Sequence, residues 1–231
     1  MPPSAANVLI VCGLKREAAI LAGPGRATLC GDAPALRAKL AEAAGWRPLL
    51  VISWGVCGGL DPRLRPGDLI LGAEVVSDGR VVATDQALTS SLARGLAPAA
   101  TRIAVQRMAG AAAPVLTADA KSELRRATGA AGVDMESLTA GGFAAERRIP
   151  FAILRAVADP AERSLPPLAL KAVRPDGRID AMAVIGGLVR SPGQFTGLCA
   201  TGLDAQAAFR ALNRCRGFLL RLFLGLGPAD F

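Results

Sequence analysis

The residues best placed to do chemistry are two carboxylates and an arginine at the ends of apolar segments. Gly132-Val133-Asp134-Met135-Glu136-Ser137 is followed, after a helix-length interval, by Arg155-Ala156-Val157-Ala158-Asp159. A carboxylic acid can protonate a leaving group, and a second carboxylate can hold hydroxyls or favour a developing cation. Glu17, just after the first apolar segment, is a third acidic candidate. The chain contains no histidine, which excludes histidine general-base chemistry and most zinc sites. Acid–base work therefore falls to Asp or Glu. Singly, each carboxylate has an ordinary reading, as a helix cap, an Asp-Pro turn or a solvated helix residue.

These groups need elements to position them. Residues 129–133 read as a short buried strand, with Asp134 as helix N-cap and Glu136 in the first turn, where acidic groups oppose the helix dipole. Met135, Leu138, Gly142, Ala145 and Ile149 recur at helical spacing, and Pro150 ends the helix. Residues 151–157 form an apolar run suited to a strand covered on both faces. Strand, helix and strand predict a parallel βαβ unit with both carboxyl ends at one sheet edge. Glu136 and Asp159 are 23 residues apart, yet would then lie within about two strand spacings, roughly 10 Å. Open parallel sheets bind ligands at that edge.

Earlier segments follow the same alternation. Residues 7–12 predict a strand and 14–21 a helix that carries Glu17 near the strand's carboxyl edge. Residues 26–30 predict a strand, and Asp32 with Pro34 the start of a helix. The N–H groups there, with Arg37, are an alternative anion site to a plain cap. A strand over 48–53 opens into a glycine-rich loop, Trp54-Gly55-Val56-Cys57-Gly58-Gly59-Leu60, whose glycines let backbone approach a ligand. It has neither dinucleotide nor Walker spacing. Strands are expected over 68–76 and 102–108, a hairpin through Asp78-Gly79 into 80–83, and helices over 88–96 and 118–127. After Asp159, residues 161–167 form a loop able to fold over the site. Residues 180–189 and then 192–224 read as helical, with a break near Gly202.

Composition bounds the rest. At 231 residues, 52% hydrophobic and mean hydropathy +0.37, one α/β domain over 1–231 is expected, with a C-terminal helical segment at about 180–225. The fold class is a three-layer α/β domain with a central mixed, mostly parallel sheet. No apolar run reaches the ~20 residues of a membrane span. Met1-Pro2-Pro3-Ser4 lacks the features of a secretory leader, so the cytoplasm is the expected compartment. The five cysteines show no C-x-x-C pair and read as free, mostly buried thiols. Net charge is +8 with only 4% aromatic residues, so stacking platforms for nucleic acid are scarce and no nucleic-acid partner is expected. An anionic substrate or membrane surface accounts for the charge equally well. The tail mixes Arg210, Arg214, Arg216 and Arg221 with Phe218, Leu219, Leu220, Leu222 and Phe223. It suits peripheral contact at the inner membrane face, or packing on its own sheet or a second subunit.

Four segments in order carry a family resemblance. They are Cys12-Gly13-Leu14-Lys15-Arg16-Glu17, Trp54-Gly55-Val56-Cys57-Gly58-Gly59-Leu60 with Arg65-Pro66-Gly67-Asp68, Val133-Asp134-Met135-Glu136, and Arg155-Ala156-Val157-Ala158-Asp159. Together they resemble the nucleoside phosphorylase superfamily, including the methylthioadenosine/adenosylhomocysteine nucleosidases. The resemblance spans about residues 7–160 and is greatest to the hopanoid-associated phosphorylase branch, through Val-Asp-Met-Glu-Ser, Asp-Pro, Leu-Pro-Pro and Pro-Asp-Gly-Arg. It implies cleavage of a purine nucleoside with Asp159 as the acid on the departing base and Glu17 activating water. It places Glu136 on the ribose hydroxyls, Met135 against the sugar, and Gly55, Cys57 and Gly58 beside sugar and base. Asp134 and Val56 belong to the same substrate-binding segments, and Arg155 is structural or anion-facing.

Two departures bear on the nucleophile. Val56 and Ala158 stand where many relatives have serine, while Arg16, Arg37 or the glycine-rich backbone remain able to hold phosphate. Phosphorolysis and hydrolysis both stay open, with no cofactor beyond phosphate as a co-substrate. The branch implies adenosylhopane, a lipid-linked nucleoside that loses adenine; the expected assembly is a homo-oligomer, a dimer.

Overall fold

Every residue of β1 (Val8–Cys12) is apolar and buried, as expected for a strand covered on both faces. The computed structural model describes residues 7–100, 102–166 and 195–225. The next elements are α1 (Lys15–Leu21), β2 (Arg26–Cys30), α2 (Ala33–Glu42), β3 (Leu50–Gly59), β4 (Leu69–Ser77), β5 (Arg80–Ala83) and α3 (Gln86–Leu96). The chain continues through β6 (Ile103–Gly110), α4 (Ala118–Thr128), β7 (Gly132–Asp134), α5 (Ser137–Arg147) and β8 (Phe151–Asp159) to α6 (Phe195–Gly225).

The expected three-layer α/β architecture is present. Helices α1, α3 and α6 cover one face of the sheet through Leu21, Leu92, Leu96, Leu212 and Leu219. Helices α2 and α5 cover the other through Leu36, Leu40, Phe143 and Ala144. The sheet is mixed and mostly parallel. β1 pairs in parallel with β2 and β3, β3 with β8, and β6 with β4 and β7. The antiparallel pairs are β3 with β7, β4 with β5 and β4 with β8. Following β3, β8, β4, β6 and β7 back to β3 closes a five-stranded ring, the geometry that removes free edges.

This closure overturns the expected βαβ unit. β7 runs antiparallel to β3, which is parallel to β8, so β7 and β8 do not share a direction. They meet instead at the carboxyl end of β3, where Gly58 registers with both Val133 and Asp159. The strand begins at Gly132 because Gly129 is the left-handed C-cap of α4, at φ 69°. Asp134 ends β7 and α5 starts at Ser137, with Glu136 just before it. Asp134 is therefore not the residue next to the helix. Its Oδ1 nevertheless accepts from the N–H of Glu136 at 3.2 Å and of Ser137 at 2.9 Å, so it satisfies the amides a cap would take. The inward face of α5 is Ala140, Gly141, Phe143 and Ala144, one step out of phase with the expected stripe. Met135 precedes the helix, and Arg148 turns left-handed at φ 54° before Ile149.

The glycine-rich stretch is not a loop but the second half of β3. Gly55 adopts φ 144°, and a Cβ there would sit 2.4 Å from Glu17 Oε1. At Gly58 it would lie 3.2 Å from Val133 and 3.5 Å from Asp159. The missing side chains let one strand run directly beneath several carboxylates.

Other expectations hold. Asp32 caps α2 by accepting from Ala35 N at 2.9 Å, and Asp78-Gly79, both at positive φ, turn the β4–β5 hairpin. Four of the cysteines are buried and all five are free. Helix α6 runs through Gly202 without a break. Its apolar face, Phe209, Leu212, Cys215, Leu219 and Phe223, joins the core against β1, β3 and β8, so the tail packs on its own sheet. No described helix is long and apolar enough to cross a membrane. The expected helix over 180–189 lies outside the described residues.

Gly55→Ala is expected to destabilise by about 1–3 kcal/mol, through backbone strain and collision with Glu17. Gly202→Ala, in helical backbone with open space around it, is expected to stabilise by roughly 0.5–1 kcal/mol. Urea denaturation of the two variants checks both signs.

Candidate active site

Trp54 and Ser53, in the middle of β3, and Arg155, in the middle of β8, are completely buried. An arginine survives there only if its donors are matched. Arg155 Nη2 donates to Ser53 Oγ at 2.6 Å, and Nη1 lies 3.4 and 3.3 Å from the carbonyls of Trp54 and Val56. Its charge is met by Asp134 Oδ2, 2.9 Å from Nε, and by Glu136 Oε2, 3.1 Å from Nη2. The Nε contact is an ion pair and not an aligned hydrogen bond. Ser137 Oγ lies 2.9 Å from Ser53 Oγ and donates to Asp134 Oδ2. The β7–α5 corner is thus tied to β3 and β8 through one guanidinium.

Glu17 belongs to the same cluster. At the third position of α1 it folds back to accept from Leu14 N at 2.7 Å and Gly13 N at 3.0 Å, one half of a capping box. Its other oxygen accepts from Val56 N at 2.7 Å, and Trp54 Nε1 donates to its carbonyl at 3.1 Å. Glu17 is buried rather than solvated.

One cation faces three acids here. Burial opposes the charge of Arg155, but Asp134, Glu136 and Glu17 outweigh it and keep the guanidinium protonated. Burial pushes the Glu17 carboxyl up, with Arg155 and the backbone N–H groups pulling the other way. Glu136 is pushed up to about 8, first by burial and then by Asp134 and Glu17, against the pull of Arg155.

In front of this cluster lies a cleft of about 180 Å³. Val56, Cys57 and Gly58 of β3 form its floor; Val133, Asp134, Met135 and Glu136 one side; Ala158 and Asp159 another. Ala111, Ala113, Pro114, Val115 and Leu165 close it with an apolar wall. The two acids on which the sequence argument turned, Glu136 and Asp159, therefore face one cavity. Glu17, Gly55 and Arg155 stand directly behind it and do not line it. Arg16 lies 4.0 Å from the centroid of the Phe209 ring, and Arg37 borders a separate cleft between α2 and α5. Neither reaches the acids. Burial raises the affinity of Asp159 for its proton, with Lys121 pulling the other way.

Sequence reasoning missed Lys121. It is fully buried and its Nζ donates to Asp159 Oδ2, Pro160 O at 2.9 Å and Arg163 O at 3.0 Å. A signal existed: Lys121 is three residues before Leu124, on the stripe of α4 that meets the sheet. Ser53 and Ser137 were missed as well, since a lone serine in a strand or first helical turn carries no pattern.

Between about pH 4.5, where an unfolded glutamate releases its proton, and about pH 8, the folded chain holds the extra proton on Glu136. Stability contributed by this group is therefore present below that window and lost as pH rises through it. Thermal unfolding should show a Tm that declines from pH 5 to 8 in the wild type and declines less in Glu136→Gln.

Comparisons agree with this architecture. The sequence model of the phosphorylase superfamily matches residues 2–189. Among solved structures, a methylthioadenosine nucleosidase from Arabidopsis thaliana superposes with TM-score 0.67 at 17% identity, over 98% of this chain and 99% of that one. A Helicobacter pylori methylthioadenosine/S-adenosylhomocysteine nucleosidase gives 0.65 at 13%, over 96% and 99%. The futalosine hydrolase of Helicobacter pylori gives 0.63 at 14%, over 91% and 97%. No curated protein sequence matches the chain.

Proposed function

The chain belongs to the phosphorylase superfamily, and from that premise we propose that it is an enzyme that hydrolyses the N-glycosidic bond of a purine nucleoside and releases adenine. One observation carries the choice of water over phosphate. The cleft is lined by three carboxyl groups, Asp134, Glu136 and Asp159, and by no lysine or arginine among the described residues. Arg155 is committed to Asp134 and Glu136, and Lys121 to Asp159. A phosphate dianion would find no uncommitted cation among the described residues lining the cleft, whereas the carboxyl oxygens there favour an electron-poor sugar.

In this reading Asp159 protonates the departing base, and its raised proton affinity suits an acid working near neutral pH. Glu136 takes the ribose hydroxyls, with Met135 against the sugar and Val56, Cys57 and Gly58 beneath it. The family resemblance assigns the proton of the attacking water to Glu17, which stands behind Val56 outside the cleft lining and would take it through a relay past that strand, its burial making it a stronger base. Serine is absent at Val56 and Ala158, so water is held by backbone and carboxylates instead.

The finer proposal is adenosylhopane as substrate, within hopanoid biosynthesis. The motif resemblance supports it, as does the apolar wall of Pro114, Val115 and Leu165. A large 5′-substituent would extend outside along the apolar wall.

The test is adenine release from 5′-substituted adenosines, adenosylhopane included, with and without phosphate. Adenine formed at a phosphate-independent rate, with free sugar as the co-product, is the expected result. Strict phosphate dependence would overturn hydrolysis. No adenine from any nucleoside would leave a binding protein on this fold. Asp159→Asn should lower the rate at least ~100-fold, and wild-type turnover in that variant would remove Asp159 from its role.

A further inference from the structure

Lys121 is a buried charge that the assigned roles do not yet use. It is a lysine with no exposed surface, on the first turns of a helix whose start is held from both sides. Thr117 Oγ1 accepts from Ala120 N at 3.2 Å, and Ser164 Oγ from Ala118 N at 3.1 Å. Leu165 N donates to Leu116 O at 2.7 Å. The turn after β8 and the start of α4 are therefore pinned together.

The three acceptors around Nζ match the three N–H groups of an ammonium. All three belong to one short segment: Asp159 Oδ2 and the carbonyls of Pro160 and Arg163. Lys121 thus grips both the acid and the backbone that carries it. With Oδ2 occupied, Oδ1 is the oxygen available to a ligand. Replacing buried ion pairs by apolar residues is often neutral or stabilising, so stability alone is a weak reason for such a pair.

We propose that Lys121 is a positioning residue for Asp159, which fixes the rotamer through Oδ2 and stabilises the negative charge left when Oδ1 delivers its proton. The proposal rests on Asp159 being the acid of the hydrolysis described above. In that step the bond from the sugar carbon to the base nitrogen breaks with its electron pair going to the base. The base takes the Asp159 proton, water adds to the sugar carbon, and the water's second proton passes to Glu17. Asp159 gains a full negative charge during this step, and the Lys121 ammonium is already in contact with it. An interaction that strengthens as charge develops lowers the barrier without tightening ground-state binding.

Other groups face the pair. Arg163 lowers and Asp204 of α6 raises the proton affinity of Asp159, and these two are themselves ion-paired. The Cys57 thiol of β3 faces Asp159 from below. Arg125, one turn along α4, is paired with Asp61 at 3.1 Å. Among the described residues Lys121 is the one ion-paired with the Asp159 carboxylate.

The test compares wild type, Lys121→Met and Lys121→Arg, with Asp Cγ labelled by carbon-13 and the Asp159 signal assigned by its loss in Asp159→Asn. Removing the cation should raise the Asp159 titration midpoint by at least about one pH unit, and Lys121→Arg should bring it back towards wild type. In the adenine assay Lys121→Met should lower kcat by about 10–100-fold with KM within about threefold. Its alkaline limb should move to higher pH. Equal midpoints in wild type and Lys121→Met overturn the proposal, as does a lower kcat with an unmoved alkaline limb. Should Lys121→Met not fold, the Asp159→Asn/Lys121→Met double variant leaves no unpaired buried charge. Activity equal to that of Asp159→Asn supports the proposal and a further loss overturns it. The titration reads the contact even when no nucleoside turns over, so failure of the hydrolase reading shows in the adenine assay alone.

Discussion

A single guanidinium buried against three carboxyls is the constraint on which the rest of this structure depends. Arg155 touches Asp134 and Glu136 directly and feels Glu17 through the low-dielectric core. Its remaining donors reach Ser53 and the β3 carbonyls. Removing Arg155 would leave its acidic partners without a counter-charge in a fully buried site, a cost of several kcal/mol by the general behaviour of buried ion pairs. The excess of acid over base has a functional side. Glu136, pushed up to about 8 by burial and its acidic neighbours, holds a proton near neutral pH, the kind of perturbed group that marks functional sites.

The sheet supplies the geometry for that cluster. Closing β3, β8, β4, β6 and β7 into a ring brings β7 onto the far end of β3, although β7 contributes only three residues. A strand so short has little pairing energy of its own. It is held by ladders on both sides and by the Arg155–Asp134 contact. The glycines of β3 complete the arrangement. At Gly55 the absent side chain is replaced by the Glu17 carboxylate, and at Gly58 by Val133, with the Asp159 carboxylate in ordinary contact beside it. In the same way, Gly13 leaves room for Glu136, whose Oε1 lies 2.7 Å from where a Cβ would be.

Much of this was legible beforehand, and the failures are instructive. The strand at Val8–Cys12 announces itself because a strand buried on both faces is apolar at every position, and Phe151–Asp159 nearly so, interrupted only by Arg155 and its terminal Asp159. The Asp32 cap and the Asp78-Gly79 turn are local chemistry and read correctly. The β7–α5 corner read wrongly, because cap and strand end are both satisfied by the same Asp134 carboxylate, two residues upstream of where a cap belongs. By composition the glycine-rich stretch reads as a loop, because glycine is ordinarily a loop former. Here it is strand, since the Glu17 carboxylate at Gly55 and Val133 and Val157 at Gly58 and Gly59 fill the space its side chains would have used.

Sequence by itself determined which residues could act. The lack of histidine confined acid–base chemistry to carboxylates, and the order of the motifs carried Glu17, Glu136 and Asp159 as its candidates. Those are properties of residue type and local spacing, which a linear reading preserves. Only the tertiary structure decided that β7 meets β3 antiparallel, that Arg155 and Glu17 stand behind the cleft and not in it, and that Lys121 grips Asp159. Each of these is a contact between segments tens of residues apart. The pairing of buried charges is settled by which strands close the ring and which helix turn then faces the gap, and no local pattern encodes that.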